Sequence, residues 1–195
     1  MTNEAPREKL DSGMRDHFDD GTIRIRRHTL DDVDALFRAS RESIAEVGRF
    51  LPWLDDDYVR SDSRAWIEAS ISAWDAADRF SFVVEELDSG RMLGGVGLNT
   101  FDRANRRANL GYWVRSSATG RGVATRAATL AARFGLRDCG FTRIEIVSAV
   151  ANLASQRVAI KIGAEREGVL RNRIVLRGEI HDAIVFSLIP EWLDA

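Results

Sequence analysis

The spacing of hydrophobic residues changes several times along the chain, and each change predicts a new element. From 22 to 28 apolar and charged residues alternate, which is typical of a strand with one buried face. From 29 to about 46, and again from about 61 to 74, apolar residues recur every three to four positions. That period is the period of an α-helix, so this part of the chain is predicted to form two helices.

After position 78 the period becomes two, and the rest of the chain reads as strands with two interposed helices. Turn residues such as Asp88-Ser89-Gly90-Arg91 separate the first three strands, which are therefore expected to pair as antiparallel hairpins. The predicted strands cover about 80–87, 92–101, 108–114, 141–149, 164–175 and 180–189, and the predicted helices about 121–137 and 153–162. Hairpins followed by a strand–helix–strand crossover predict one mixed α/β sheet flanked by helices, in the α+β class.

The domain organisation is expected to be simple. Residues 1–20 carry no periodicity, and we expect them to form a tail or an arm at the sheet edge. A chain of 195 residues, 45% of them hydrophobic, can fill one core but is too short for two ordinary domains. Neither a repeat nor a linker divides the remainder, so we expect a single domain over 21–195.

Composition and charge argue against several classes of protein. A formal net charge of −2 disfavours a globally basic nucleic-acid binder. No apolar run approaches the ~20 residues of a membrane span, and the polar N-terminal sequence lacks the apolar core of a secretion signal, so we expect a cytoplasmic protein. The single cysteine, Cys139, excludes an internal disulfide and is more typical of a core residue than of a nucleophile. No metal site is expected, because no cysteines or paired acids lie at ligand spacing from the three histidines, His17, His28 and His181.

A short loop before the helix predicted at 121 carries the clearest chemical signal. An apolar strand ending at Val114 leads into it, and Gly120 and Gly122 let the main chain approach a ligand with no Cβ in the way. Free N–H groups from about Gly120 to Thr125 would point one way at the positive end of a helix, which suits phosphate or pyrophosphate. The alternative is a loop whose glycines only relieve crowding.

Two common phosphate-binding motifs do not fit this loop. A nucleoside-triphosphatase loop needs Gly-x-x-x-x-Gly-Lys-Ser/Thr, which does not occur in the sequence. A dinucleotide fold needs Gly-x-Gly-x-x-Gly directly after a strand, with an acid about 20 residues further on. Gly120-x-Gly122-x-x-Thr125 with Glu145 comes near that pattern. However, five residues separate the loop from the strand, Arg121 stands between the glycines, and hairpins precede the site.

The segment Thr119-Gly120-Arg121-Gly122-Val123-Ala124 resembles the Gln/Arg-x-x-Gly-x-Gly/Ala pyrophosphate loop of the GNAT-superfamily acetyltransferases, with Thr119 in place of Gln or Arg. The resemblance covers about 22–190 and is greatest to the Rim-type, ribosomal-protein N-terminal acetyltransferases. It is carried by Arg41-Glu42-Ser43 through Leu51-Pro52-Trp53, Leu110 to Val114, Asn152 to Ala159, Gly163 to Gly168, and His181-Asp182. It implies a GNAT-like three-layer fold with a mostly antiparallel central sheet, and acetyl-coenzyme A (acetyl-CoA) as co-substrate.

The resemblance also implies roles for particular residues. In the family, the strand before the loop splays from its neighbour and a freed backbone N–H bonds the thioester oxygen; Val114 matches that position. Asn152 matches a contact to the pantetheine arm, and Ser155 a residue that can protonate the departing thiolate. Both also suit the first turn of a helix, with Asn152 as its N-cap. The implied coenzyme-binding set is Trp113, Val114, Arg115, Gly120, Arg121, Gly122, Val123, Ala124, Thr125, Asn152 and Ser155. Further cations within reach of the phosphates are Arg126, Arg157 and Lys161.

The acceptor side of the reaction is less defined. A base must take a proton from the attacking amine, and no spacing selects among Glu85, Glu86, Glu167, His181 and Asp182. The resemblance favours the N-terminal α-amine of a ribosomal protein as acceptor, with a small-molecule amine as another choice, and it implies a possible homodimer. An acidic stretch, Asp55 to Asp57, would attract such a cation, although a solvated loop has the same composition. Three tryptophans are expected to pack the two early helices on the sheet, and the resemblance implies that one of them could line the acceptor site: Trp53, Trp66 or Trp74.

An acetyl-CoA-dependent N-acetyltransferase is therefore the main hypothesis. A non-catalytic acyl-CoA-binding sensor would keep the same loop but lack turnover. A nucleotide-binding oxidoreductase is the least favoured alternative.

Overall fold

The computed structural model describes residues 15–194, and its strands join in one eight-stranded sheet. Along the sheet the order is β1-β2-β3-β4-β5-β6-β8-β7. The strands are β1 His17–Asp19, β2 Ile23–Arg27, β3 Phe80–Glu86, β4 Met92–Asp102, β5 Arg107–Val114, β6 Arg143–Ala149, β7 Glu165–Leu176 and β8 Glu179–Leu188. The helices are α1 Val33–Glu42, α2 Ile44–Val47, α3 Arg60–Asp75, α4 Val123–Arg133 and α5 Leu153–Lys161.

One parallel pair interrupts an otherwise antiparallel sheet. Neighbouring strands pair antiparallel, except β5 and β6, which α4 connects and which pair in parallel. This arrangement confirms the predicted α+β class and the single, mostly antiparallel sheet with a strand–helix–strand crossover.

The two faces of the sheet bury different sets of side chains because successive residues of a strand point to opposite faces. The α4 face carries the larger core, with fully buried side chains such as Phe82, Leu110, Phe134 and Ile144. On the other face α1 and α3 cover a smaller cluster formed by Val33, Leu36, Ala39, Ile67, Val83 and Met92, with Trp113 packed against it. The second face is thus covered mainly over β3 and the start of β4.

The structure departs from the expected elements in three places. His17–Asp19 forms a short edge strand within the region predicted as a tail or arm, and residues 1–14 lie outside the described residues. The first predicted helix breaks at Ser43, whose hydroxyl donates to the Ala39 carbonyl at 2.7 Å. The helix predicted to reach 137 changes after Arg133 into a π-helical turn, Phe134–Asp138.

Candidate active site

β5 and β6 pair for only three residues and then separate. Their parallel register runs from Arg107 opposite Arg143 to Asn109 opposite Glu145 and stops there. Beyond that point β5 continues to Val114 paired only with β4, while β6 continues to Ala149 paired only with β8. A wedge-shaped gap therefore opens between the carboxyl-terminal halves of β5 and β6.

The backbone of Val114 faces this gap. The Arg115 N–H donates to the Leu93 carbonyl on β4 at 2.9 Å. In an antiparallel ladder the main-chain groups of alternate residues point to opposite neighbours. The N–H of Val114, which lies opposite Gly94, therefore points away from β4 and into the gap.

Gly94 allows β4 to approach β5 closely at this point. Its φ is +156°, and a Cβ placed there would lie 2.1 Å from the Trp113 carbonyl oxygen and 2.9 Å from the Val114 Cα. The register of the neighbouring strand also shifts beside it, between Val84 and Glu85. A side chain at this glycine would move the part of β5 that presents the Val114 N–H.

The loop before α4 presents unbonded amides. Gly120 and Gly122 have φ values of +76° and +77°, and a Cβ at either position would meet no atom within 4 Å. Gly122 is the N-cap of α4 and no side chain caps the helix. Within residues 15–194, none of the N–H groups from Gly120 to Thr125 has a hydrogen-bond acceptor. Unpaired amides at a helix N-terminus form an anion site.

Two of the arginines near this loop are held in ion pairs. Arg121 bonds Glu86 at 2.7 Å, and Arg126 bonds Asp20 at 2.8 Å. Ser89 and Arg121 donate to the Glu86 carboxylate and lower its pKa. Glu86 thus lies beside the glycine loop, whereas Arg157 and Lys161 are exposed on α5.

The segment between β5 and the glycine loop is fastened to the break between α1 and α2. Arg115 donates to both oxygens of the Glu42 carboxylate, which also accepts the Ser117 N–H at 2.8 Å. The Ser116 N–H donates to the buried Ser43 hydroxyl at 3.1 Å. Arg115 lowers the pKa of Glu42 to about 2. Sequence reasoning missed this contact, because the partners lie 73 to 75 positions apart.

Asn152 and Ser155 form the first turn of α5, as predicted. The Asn152 side chain accepts the Ser155 N–H at 3.1 Å and so acts as the N-cap. Tyr112 on β5 donates its hydroxyl to the Ser155 carbonyl at 3.0 Å and lies 3.2 Å from the Ser155 hydroxyl. Burial raises the pKa of Tyr112 to about 12, so the phenol stays protonated near neutral pH. Tyr112 therefore joins β5 to the Ser155 hydroxyl, a link absent from the sequence-based set.

Most of the candidate bases are engaged elsewhere. Glu85 is buried on β3 and bonds Arg26 at 2.8 Å and Arg24 at 3.4 Å. Arg143 and Ser187 donate to Glu167 and lower its pKa to about 2. The structure thus does not bring the five candidates together, and Asp182 accepts the Asn172 N–H at 2.9 Å instead.

Two of the three early tryptophans stand beside the gap. The Trp53 ring stacks on Trp66 at 6.3 Å and meets Trp113 edge-on at 6.1 Å between centroids. Trp53 and Trp66 are 43% and 40% exposed, which leaves them open to a ligand. Trp74 is instead buried against the rings of Phe80 and Phe82.

Other kinds of site receive little support from the described part of the chain. Within residues 15–194 no group of three or more His, Cys, Asp or Glu is arranged to hold a metal ion. Burial raises the pKa of the Cys139 thiol, which disfavours the nucleophilic thiolate. Among the described helices, none has both the length and the apolar character needed to cross a membrane.

Comparison with known families decides the identity of the fold. A model of the acetyltransferase (GNAT) domain matches residues 22–165. The chain belongs to the GNAT acetyltransferases. As a GNAT protein it is an N-acetyltransferase, and the resemblance seen in its glycine loop is confirmed.

Individual relatives of this GNAT chain point to the Rim-type subgroup. One relative is YdaF from Bacillus subtilis (strain 168), whose name describes it as a ribosomal N-acetyltransferase without establishing that activity. The two sequences are 27% identical over 173 residues, and the match covers 87% of this chain and 93% of YdaF. A solved structure from Vibrio cholerae is described, without that activity being established, as a ribosomal-protein-serine acetyltransferase. It is 29% identical to this chain with a TM-score of 0.79, and the match covers 89% of this chain and 97% of that one. RimL, a ribosomal L7/L12 α-N-protein acetyltransferase solved with coenzyme A, shares the fold with a TM-score of 0.80 at 22% identity, over 87% and 95% of the two chains.

Proposed function

We propose that this GNAT enzyme transfers the acetyl group of acetyl-CoA to the N-terminal α-amine of a protein. One observation carries the proposal. The strand gap, with the Val114 N–H directed into it, opens at the same edge of the sheet as the unbonded amides of the loop at the start of α4. A long thioester with a diphosphate at its far end fits this combination of sites.

The glycine loop would bind the diphosphate of acetyl-CoA. Amides from Gly120 to Thr125 supply donors at the positive end of α4, and Arg157 and Lys161 are the nearby exposed cations. The pantetheine arm would then lie in the gap, beside β5 and the first turn of α5, where Asn152 and Ser155 stand.

The chemistry requires three events at the thioester. The neutral amine attacks the carbonyl carbon, and the new C–N bond forms as the C–S bond breaks. The Val114 N–H would stabilise the charge that develops on the carbonyl oxygen, and one such donor contributes about 3 kcal/mol. Ser155 would give its proton to the departing thiolate, and solvent water would take up the proton lost by the amine and return one to the Ser155 oxygen, so that the hydroxyl is restored.

Two features support a protein N-terminus as the acceptor. RimL and YdaF bear names that describe acetylation of ribosomal proteins. The rings of Trp53 and Trp66 are stacked and partly exposed, and the acidic stretch Asp55 to Asp57 follows Trp53 in the sequence. Aromatic rings with acidic side chains nearby would suit a cationic amine on a peptide chain. A cytoplasmic location is an expectation from the sequence, and a homodimer is an expectation from the family resemblance.

Turnover distinguishes the enzyme from a non-catalytic acyl-CoA sensor. The protein is incubated with acetyl-CoA and a panel of peptides with free N-termini, and the released thiol is measured. Thiol release that depends on the peptide supports the proposal, whereas tight binding of acetyl-CoA with no release supports the sensor.

A matched pair of glycine variants tests the cofactor site. Gly122→Ala and Gly140→Ala place a Cβ at two positions with φ of +77° and +70°, both in open space, so their effects on folding should be similar. We expect only Gly122→Ala to weaken acetyl-CoA binding, by about tenfold or 1.4 kcal/mol, measured by calorimetry. Equal affinities for the two variants would contradict the assignment.

A further inference from the structure

A large polar cavity lies on the sheet face opposite α4 and has no role in the acetyl-CoA site described above. Its volume is about 770 Å³. The turn between β4 and β5 forms one side, β7 the other, and β5 and β6 the floor. The lining side chains that matter here are Arg103, Arg107, Arg173, Asn109, Glu145 and Val147.

A floor without bulky side chains connects the strand gap with this cavity. On this face of β5, the residues from the carboxyl end of the strand backwards are Trp113, Gly111 and Asn109. Gly111 pairs with Gly97 on β4, so neither strand carries a side chain at that level. Below it, Asn109 donates to Asn99 at 3.1 Å at the edge of the cavity. The glycine pair thus leaves a passage between the indole and the two amides.

At the end of this passage away from the cavity, the turn after β7 meets the loop after α2. The turn after β7 brings Arg177 across to the loop after α2, where its guanidinium donates to the carbonyls of Gly48 at 3.0 Å and Leu54 at 2.8 Å. A chain whose first residue lies at Val114 is therefore directed down the glycine floor toward the cavity.

The two ends of the passage carry opposite charges. The acidic stretch Asp55 to Asp57 follows Trp53 near the gap. At the far end, three arginines and the carboxylates of Asp102 and Glu145 line the cavity, so its lining is net positive. Arg103 donates to the Ala77 carbonyl at 2.7 Å and to Asp78 at 3.0 Å, and Arg107 pairs with Asp102 at 3.0 Å and with Glu145 at 3.3 Å, so each guanidinium keeps only some of its N–H groups for a ligand. Arg173 makes no hydrogen bond or ion pair with any residue from 15 to 194, and its whole guanidinium is available.

We propose that this cavity binds an acidic side chain of the acceptor, and that the enzyme prefers N-termini with Asp or Glu at about the fifth to the seventh residue. The distance follows from strand geometry. At about 3.3 Å per residue, Asn109 lies roughly 13 Å and Arg107 roughly 20 Å along β5 from Trp113, so an extended peptide whose first residue lies beside Trp113 reaches these levels with about its fifth and its seventh residue. Guanidinium groups bind carboxylates in a bidentate manner. The inference rests on the proposed function and names its substrate class.

The test compares eight-residue peptides that differ only at positions five to seven, which are all Ala, all Glu or all Lys. We expect the Glu peptide to have a KM at least tenfold below that of the Ala peptide, and the Lys peptide a higher KM than either. Arg173→Glu should remove or reverse the preference, while its turnover of the Ala peptide shows that it is folded. Arg137→Glu, an exposed arginine outside the cavity lining, is the control and should leave the preference unchanged.

Different failures have different meanings. Equal KM values for the three peptides, or an unchanged preference in Arg173→Glu, would overturn the proposed preference for acidic side chains but would leave the proposed acetylation of α-amines in place. Preference for a small phosphorylated amine over all peptides also overturns it, since the cavity then holds a phosphate. Absence of acetylation for any amine, together with binding of acetyl-CoA, overturns the proposed function and this inference together.

Discussion

At the scale of single residues, Ser155 depends on a neighbour from another element. Its hydroxyl lies in the first turn of α5, where Asn152 caps the helix and fixes the backbone. Tyr112 reaches it from β5, and because the phenol keeps its proton, its O–H can be shared between the Ser155 carbonyl and the Ser155 hydroxyl oxygen, which leaves the serine proton free to be donated. The phenol therefore orients the group that we propose as proton donor.

Substitution of these two side chains should separate their roles. Ser155→Ala removes the proposed acid, and we expect kcat to fall about 100-fold with little change in the KM for acetyl-CoA. Tyr112→Phe removes only an orienting hydrogen bond of about 1 kcal/mol, so about a fivefold fall in kcat is expected. Steady-state kinetics with one peptide acceptor measures both. A Ser155→Ala enzyme with full kcat would rule out the proton-donor role.

At the scale of elements, the break between α1 and α2 has a function in the site. A continuous helix would carry Ser43 onward in the α1 spiral. The break instead places Glu42 and Ser43 against the segment from Arg115 to Ser117. The same segment joins the Val114 N–H to the glycine loop, so the break between α1 and α2 sets the position of both parts of the site proposed for acetyl-CoA.

A change that removes the charge of Glu42 but keeps its shape tests this connection. Glu42→Gln keeps the shape of the side chain but weakens its hold on Arg115, and we expect kcat to fall about tenfold as the Val114 N–H loses its alignment. The KM for the acceptor should change less than kcat, and because loss of folded protein would also lower the apparent kcat at constant KM, kcat is calculated per acetyl-CoA binding site counted by calorimetry. Asp34→Asn is the matched control, since Asp34 lies on α1 and pairs with Arg60 away from the site. Equal kinetics for the two variants would show that the contact is only structural.

At the scale of the whole molecule, a buried polar network ties the sheet edge to α1. Arg26 on β2 bonds Asp32 at 2.7 Å and Glu85 on β3 at 2.8 Å. Next to it His28 is 5% exposed, and its Nδ1 has no hydrogen-bond partner within the described chain. Burial lowers the pKa of His28 to about 4, with Arg26 and Arg79 acting in the same direction and Asp32 against it.

This histidine predicts an acid-dependent loss of stability. Its pKa is lower in the folded chain than in the unfolded chain, so the unfolded state binds the proton first and stability falls as pH drops from about 6.5 toward 4. The full shift corresponds to about 3 kcal/mol. In denaturant titrations from pH 7 to pH 4.5, His28→Asn should flatten this slope, whereas the exposed His17→Gln should keep it. If the stability of His28→Asn fell with pH as steeply as that of the wild type, the prediction would be wrong.

The sequence by itself determined the elements and singled out the glycine loop before α4. Strands and helices follow from periodicity, which is a property of adjacent residues, and the predicted α+β sheet with its crossover was confirmed. Gly120 and Gly122 could be recognised in the sequence because the conformational freedom of glycine at the start of a helix depends only on neighbouring residues. The π-helical turn after Arg133 and the break at Ser43 were not predicted, since both depend on packing rather than on period.

Only the tertiary structure decided how the site is assembled. The direction of the Val114 N–H follows from the register between β4 and β5, and the gap exists because β6 turns from β5 to β8. Tyr112 meets Ser155 across 43 positions of the chain, and the passage to the arginines follows from two glycines on neighbouring strands. Such contacts are set by the order in which strands pair, and no short stretch of sequence contains that order.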